Sequence, residues 1–474
     1  MMLEKLTASF IAAIAGIFVF LSLKELTNGK AALIGAMVFA FATNTWTISS
    51  QALWQHGLVE LLLAASVYLV LLNERRPSKM NIILLGILSG LFAFNRPAES
   101  ILLAPILYYI FNLRDNRIAY YFGSAAISGG PFLLYNLYYF RDLFGGYSVL
   151  LPAFSIDSNN IISFAGLLIS PNRGLFVYTP ILILSIFGYF KALQIEDKNV
   201  RNFLLILGVS ILIQIVIYSS FKTWWAGWSY GPRFLTGVLP ALTIFLGLQI
   251  RHYLDQDILQ NVHKKTTFIT LCLLGILLSW SIFVQLVGAF YYPNGNWDSN
   301  PNVDLNPERI WDWNDTQIGR SLNAGIMTPY NPLNALRFVG DLRNGGRKVA
   351  FRTYSGRYIC VEGGGRELAA NRTSLGPWEA FILINLESNN VALCAGSGQY
   401  VSAESDGDLV ANSNSLGRQE TFELIDLGNN SVALLACNGK YIRVERAGNC
   451  ELMVANGSAI HERETFKLFD LGSG

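Results

Sequence analysis

The chain has 474 residues, 52% of them hydrophobic and only 14% charged, and its mean hydropathy of +0.36 lies above the usual soluble globular range. Its net charge of +2 comes from 35 Lys and Arg against 33 Asp and Glu without any basic run, which excludes a surface built to track nucleic acid. Long apolar stretches end near residue 290 and short Gly-, Asn- and Ser-rich alternations begin near 345, so the expected fold class is a polytopic all-α membrane domain over 1–290, an extracytoplasmic linker over 291–347, and an all-β domain over 348–474.

In "MMLEKLTASF", Glu4 cancels Lys5 and no small-residue cleavage site follows, so no removable leader is expected. Apolar segments long enough to approach the roughly 20 residues of a membrane crossing are predicted at 8–23, 31–46, 58–72, 81–95, 98–112, 118–139, 175–190, 202–219, 234–250 and 267–290. Alternate loops hold the cations: Lys24 and Lys30; Arg75, Arg76 and Lys79; Arg114 and Arg117; Lys191, Lys198 and Arg201; Arg251, Lys264 and Lys265. These are assigned to the cytoplasm by the excess of Lys and Arg retained there. The intervening loops are aromatic and cation-poor and face outward, as does everything after 291, which places the chain in the plasma membrane with an extracytoplasmic C-terminal domain. The same parity puts residues 1–7 outside. A missing upstream helix would explain that, the alternative being that the first segment is not a span.

Arginines at an outer membrane edge are costly unless they meet water or an anion. Arg96 in "FAFNRPAES", Arg173 in "SPNRGLFVYTP" and Arg233 in "WWAGWSYGPRF" each adjoin a helix-breaking Pro or Gly, so the expectation is a cavity in which guanidinium groups hold phosphate. Trp54, Tyr178, Trp224, Trp225, Trp228 and Tyr230 are the candidate sugar- or lipid-contacting rings, set against an ordinary interfacial aromatic belt. His56 and Glu60, one helical turn apart, and Glu99, three residues after Arg96, are candidate acids or bases; a structural pairing of Glu99 with Arg96 is the competing reading. No ligand set assigns a metal, and a divalent ion stays unplaced. Asn136 is read as joining helices.

The ordered series "WQHGLVELLLAASVYL", "FAFNRPAES", "YNLYYF", "SPNRGLFVYTPILIL" and "WWAGWSYGPRFLTGVLP", with the tail "RIWDWNDTQIGRSL", resembles polytopic type C glycosyltransferases related to protein O-mannosyltransferases and aminoarabinose transferases, over about residues 8–335. The resemblance implies a sugar taken from a polyprenyl-phosphate donor and passed to an acceptor on the outer leaflet, with an acidic residue in the first outer loop deprotonating the acceptor. The first segment here is similar to that family's second helix, so the loop expected to carry the acid is absent, in agreement with the parity argument for a missing helix. His56 falls roughly where a further acid is expected. The segment "WDWND" (311–315) is expected to fold back over the outer cavity.

Beyond 348 the sequence repeats. "VAFRTYSGRYICVE" begins at Val349, "VALCAGSGQYVSAE" at Val391 and "VALLACNGKYIRVE" at Val432, each followed by a second shared half ending in Glu-any-Phe at Phe381, Phe422 and Phe466. One copy cannot bury its apolar face or hide its edge strands, so three copies of about four strands predict a closed β-trefoil. The Gly-any-Tyr hairpins (Gly356/Tyr358, Gly398/Tyr400, Gly439/Tyr441) and the Glu-any-Phe endings resemble fascin-like trefoils, and a glycan-binding or spacer role is expected of the domain. Of five cysteines, Cys360, Cys394, Cys437 and Cys450 fall here; they suit buried thiols, with Cys437 and Cys450 the pair to test, and do not fit a zinc site. The partners expected are therefore a lipid-linked sugar donor, membrane lipids and a glycan on the trefoil. The competing function is a non-catalytic membrane anchor that presents the trefoil.

Overall fold

A computed structural model of the chain describes residues 2–113, 115–145, 160–255, 265–292, 295, 297–324, 341, 345–361, 367–375, 379–386, 389–396, 398–447 and 450–472. It divides into two compact units, Met1–Ala324 and Gly325–Gly474. The first is helical and the second is all β.

The helices of the first unit are α1 (Met2–Leu26), α2 (Gly29–Phe41), α3 (Gln55–Arg75), α4 (Lys79–Asn95), α5 (Ala104–Asn112), α6 (Arg117–Tyr139), α7 (Asn160–Ile169), α8 (Leu175–Tyr178), α9 (Leu184–Ala192), α10 (Lys198–Ser219), α11 (Leu239–Asp255), α12 (Lys265–Phe290) and α13 (Gln317–Ala324). Local chemistry sets several starts. Asn28 accepts from Ala31 N, Ser78 from Met80 N, and Asp197 from both Asn199 N and Val200 N, each satisfying amide donors that the first turn leaves open. Two of the expected apolar segments open as 3₁₀ turns, Pro97–Leu103 and Arg233–Val238, and a third is interrupted by one, Pro180–Ile183. In each, a proline stands at the first position or just before it, where a missing N–H costs nothing and the preceding residue is kept out of helix. Helix α7 lies inside what the sequence reading treats as an outer loop. Its ten residues are too few for a span, so hydropathy alone does not reveal it.

Among the described residues, five helices are long and apolar enough to cross a membrane by length and composition: Leu3–Leu26, Gln55–Arg75, Lys198–Ser219, Arg233–Asp255 and Thr267–Phe290. The last has only 11% of its apolar window buried, and Phe268, Leu273, Ile276 and Trp280 project from it. The tip of α6 likewise exposes Phe132, Leu134, Tyr135, Tyr138 and Tyr139.

Helices α4 and α6 meet over small residues. A Cβ at Gly86 would lie 2.2 Å from Tyr121 O, and one at Gly90 would lie 2.4 Å from Ala125 O, while the Ser128 hydroxyl donates to Ile87 O at 2.9 Å. This is the close backbone approach that glycines four residues apart permit. Gly90→Val is accordingly expected to lower stability by about 1–3 kcal/mol through overpacking. Gly123→Ala, in α6 with nothing within 4 Å of the added carbon, should be neutral or better. Thermal unfolding of the two variants in detergent compares them, and equal melting points would refute the close-approach argument.

The second unit has strands β1 (Arg347–Arg352), β2 (Tyr358–Val361), β3 (Leu368–Arg372), β4 (Phe381–Asn385), β5 (Asn390–Ala395), β6 (Tyr400–Ala403), β7 (Leu409–Ser413), β8 (Phe422–Gly428), β9 (Ser431–Leu435), β10 (Tyr441–Ala447), β11 (Cys450–Gly457) and β12 (Phe466–Asp470). Antiparallel pairs β1–β4, β4–β5, β5–β8, β8–β9, β9–β12 and β12–β1 return to their starting point. A six-strand barrel closed in this way has no edge to protect. Hairpins β2–β3, β6–β7 and β10–β11 form one per repeat and touch each other at Leu452↔Ala369, Glu367↔Val410 and Asp408↔Val454. This arrangement is a β-trefoil.

The repeated residues have repeated jobs. Gly356, Gly398 and Gly439 take φ of +82°, +76° and +72° at the β1–β2, β5–β6 and β9–β10 turns, a region that L side chains avoid. Phe381, Phe422 and Phe466 are each at most 1% exposed and fill the core with Val349, Val391 and Val432. The Glu of Glu-any-Phe is buried in every copy, as Glu379, Glu420 and Glu464; Glu464 accepts from His461 N at 3.0 Å and so closes a loop. Cys360 and Cys394 are buried and Cys437 is half-buried, and the side chain of Cys450 lies outside the described residues.

Candidate anion-binding site

Two buried polar clusters form in the helical unit, with Arg233 between them. In the first, α3 carries His56 and Glu60 four residues apart, Arg96 ends α4, Glu99 sits on the following 3₁₀ turn, and Tyr218 closes α10. Arg96 Nε lies 2.9 Å from Glu99 Oε1, which also accepts from the Tyr218 hydroxyl at 2.7 Å. The Arg96 guanidinium also meets the His56 ring, at 2.7 Å from Nε2, and lies 5.7 Å from the Tyr218 and Phe234 ring centroids. Glu60, fully buried, accepts from the Thr45 hydroxyl at 3.1 Å. Gly237 is required beside Glu99, because a Cβ there would stand 1.8 Å from Glu99 Oε2. Arg96 thus has a charge partner, the pairing with Glu99 that the sequence spacing allowed.

The second cluster is centred on Arg173, 1% exposed. Its five N–H groups have five acceptors: Nε donates to Trp225 O, Nη1 to Asn172 O and Gln317 Oε1, and Nη2 to Gly227 O and Asp298 Oδ1. Arg173 therefore has no donor to offer a phosphate, and its expected clamp role gives way to that of a strut for the 222–233 loop. That loop bends sharply, with Ala226 at φ +66° and Gly227 at +60°, which turns the carbonyls of 225, 226 and 227 toward arginines. Gln317 on α13 locks the other side, accepting from Tyr178 OH at 3.0 Å and Gly231 N at 2.9 Å while donating to Ser229 O at 2.9 Å and Asp298 Oδ2 at 3.0 Å. Asn172 holds the same segment, donating to Arg309 O and Asp312 O and accepting from Gln317 N at 2.6 Å, so the stretch that contains "WDWND" packs against the helical unit.

Arg233 differs from the other two arginines. Among the described residues no carboxylate pairs with it; one Nη donates to Ala226 O, Nε has no hydrogen-bond partner, and the guanidinium lies 4.6 Å over the Trp54 ring. It stands within Coulomb range of Arg96 and Arg173 and, more weakly, of the Asp298 carboxylate that Arg173 already holds, and His56 stands within range of both Arg96 and Arg233. A half-buried cation crowded by like charges is a site that an anion would relieve.

The candidate rings divide by exposure. Trp54 and Trp228 are 38% and 50% exposed and can meet a ligand. The other four are buried, which removes them as stacking platforms. Trp224 sits against Gly166, where a Cβ would come within 2.1 Å of its ring; Trp225 donates to Asp304 Oδ1 at 2.8 Å; Tyr230 donates to Val284 O at 2.9 Å and packs edge-on against Tyr178. Sequence reasoning missed Asn172, Asp298, Gln317 and Tyr218, whose only local signal is polarity. Outside the apolar segments, burial and then the Asp298 charge raise the Tyr292 phenol well above its ordinary range, and its hydroxyl donates to Asp298 Oδ2 at 2.7 Å. Burial opposes ionisation of Asp315, but hydrogen bonds from Arg320 and Arg309 outweigh it and hold that carboxyl below the usual range. Among the described residues no group of three His, Cys, Asp or Glu side chains could hold a metal ion.

Residues 369–468 match the FRG1-like domain family. The match lies within the trefoil and leaves the helical unit outside it. Comparison with curated proteins yields no match. Among solved structures the chain is similar to the designed 3-fold symmetric protein ThreeFoil, at 23% identity over 26% of this chain and 99% of that one, with a TM-score of 0.25. It is also similar to a Polyporus squamosus lectin bound to the epitope Neu5Aca2-6Galb1-4GlcNAc, at 7% identity over 27% of this chain and 50% of that one, TM-score 0.24. A third, Cry35Ab1, is 9% identical over 27% and 36% of the two chains, TM-score 0.24.

Proposed function

We propose that the helical unit is a membrane-embedded glycosyltransferase that binds a polyprenyl-phosphate sugar donor at Arg233, and that the trefoil, of fascin-like kind, lies on the extracytoplasmic side and engages glycans. The observation that carries this reading is Arg233 itself, the one of the three candidate arginines without a carboxylate partner among the described residues, set over Trp54 and beside His56. The bare flank of α12 and the aromatic tip of α6 support a lipid surround, since apolar area on that scale is not left to water. In such a site Arg233 neutralises the phosphate, Trp54 covers one side of the guanidinium, and Arg96 with Glu99 fixes His56. Arg233→Ala in nanodiscs is expected to weaken polyprenyl-phosphate binding at least about tenfold, and Arg233→Lys to fall between, because an ammonium keeps the charge and loses the paired fork. Unchanged affinity in the alanine variant would reject the assignment.

One observation favours a second reading, a non-catalytic anchor that presents the trefoil. Glu60 and Glu99 are both wholly buried, with Oε1 of each already engaged by Thr45 or by Arg96 and Tyr218, so neither carboxylate is open to an acceptor beside Arg233. Transfer of labelled sugar from a polyprenyl-phosphate donor separates the two: turnover supports the enzyme, and binding without turnover supports the anchor.

A further inference from the structure

Nearly every residue identical in all three trefoil copies has a structural task. The valines, tyrosines and phenylalanines pack, the glycines make left-handed turns, and the Glu of Glu-any-Phe is buried. Two polar identities remain. A glutamate follows each Gly-any-Tyr hairpin by four residues (Glu362, Glu404, Glu445), and an asparagine follows an alanine in the return strand (Asn371, Asn412, Asn456).

The asparagines occupy the same special position. Register shifts by one between Tyr358 and Ile359, between Tyr400 and Val401, and between Tyr441 and Ile442, which leaves Asn371, Asn412 and Asn456 as the extra residue of a β-bulge in each hairpin. Bulges re-aim a side chain, and here they aim an amide at the glutamate. Asn412 Nδ2 donates to Glu404 Oε1 at 3.1 Å and Asn456 Nδ2 donates to Glu445 Oε1 at 2.8 Å, while the Ser402 hydroxyl donates to Asn412 Oδ1 at 3.0 Å. In the first copy Asn371 Oδ1 accepts from Cys360 Sγ at 3.2 Å, and Glu362 lies outside the described residues. Asn412 and Asn456 are exposed, and among the described residues nothing bonds Oε2 of Glu404 or Glu445.

A solvated pair of this kind contributes almost nothing to stability, so its repetition in three divergent copies asks for another reason. The chemistry is that of polyol recognition: a carboxylate oxygen accepts from one hydroxyl while the fixed amide and the second oxygen meet its neighbour, all without a net positive charge that would favour anions. We propose that the Glu404–Asn412 and Glu445–Asn456 pairs are each a binding site for vicinal hydroxyls of a neutral sugar. Repetition around the barrel makes the domain multivalent, suited to a polysaccharide with recurring units. This rests on the glycan-engaging reading of the trefoil and is independent of Arg233.

The test uses the full chain in detergent, applied to immobilised mannan, galactan and dextran. Wild type should be retained on at least one and released by the matching free monosaccharide. Glu404→Gln combined with Glu445→Gln should weaken retention at least about tenfold, the scale of losing a hydrogen bond to a charged group, with the melting temperature unchanged. Arg233→Ala should keep full retention. If the double variant is retained like wild type, or loses retention only together with its melting temperature, the pairs are not the site. If wild type is held by none of the three polymers while polyprenyl-phosphate binding persists, this inference falls and the donor-site reading stands.

Discussion

Arg173→Met is expected to destabilise the helical unit by about 3–5 kcal/mol, the cost of leaving a buried charge without its partner. Asp298, 5% exposed, would keep the Tyr292 and Gln317 hydrogen bonds but lose the guanidinium it pairs with, and the carbonyls of Trp225 and Gly227 would lose their donor. Lysine cannot substitute, because one ammonium has three donors where five acceptors wait. The double variant Arg173→Met/Asp298→Asn should recover part of the loss, since the remaining side chain is neutral. Thermal unfolding and hydrogen exchange of residues 222–233 in detergent read the effect. A single variant with an unaltered melting point would show that the five hydrogen bonds do not hold the loop.

The second large effect is expected in the trefoil. Phe422→Ala removes a wholly buried ring from a core shared by all three repeats and should cost about 3–5 kcal/mol. Phe381→Ala and Phe466→Ala should cost the same within a factor of two, because the three rings occupy equivalent places in a closed barrel. Urea unfolding of the full chain, followed through the β signal, measures this. A cost below about 1 kcal/mol at any one of the three would mean that the repeats are not equivalent.

The trefoil was legible because its signal is internal: three copies of one pattern spaced by about four strands leave a closed barrel as the way to bury one face and lose every edge. Helix positions were legible from apolar runs. Their 3₁₀ turns were not, since proline at 97 and 232 reshapes the entry of a segment, and proline at 180 its middle, without altering the hydropathy. The site was legible only in part. Arg96, Arg173 and Arg233 look alike in sequence, each beside a helix breaker, yet Arg173 is consumed by Asp298 and Gln317, which lie 125 and 144 residues further along the chain. No local pattern carries that relation. The loop tryptophans misled for the same reason: whether Trp224 faces a ligand or the interior is decided by Gly166, which leaves room for its ring. Trp54, by contrast, gained importance only when Arg233 was found above it.

In the second unit Val349 of the first strand stands opposite Asp470 of the last, within one hydrogen-bonded ladder. The polypeptide thus enters and leaves this module at neighbouring points, so it could be spliced into a surface loop of an unrelated host without stretching it. The same adjacency means that starting points shifted to Val391 or Val432 would trace an equivalent circuit, and rearranged genes of that kind should yield the same fold.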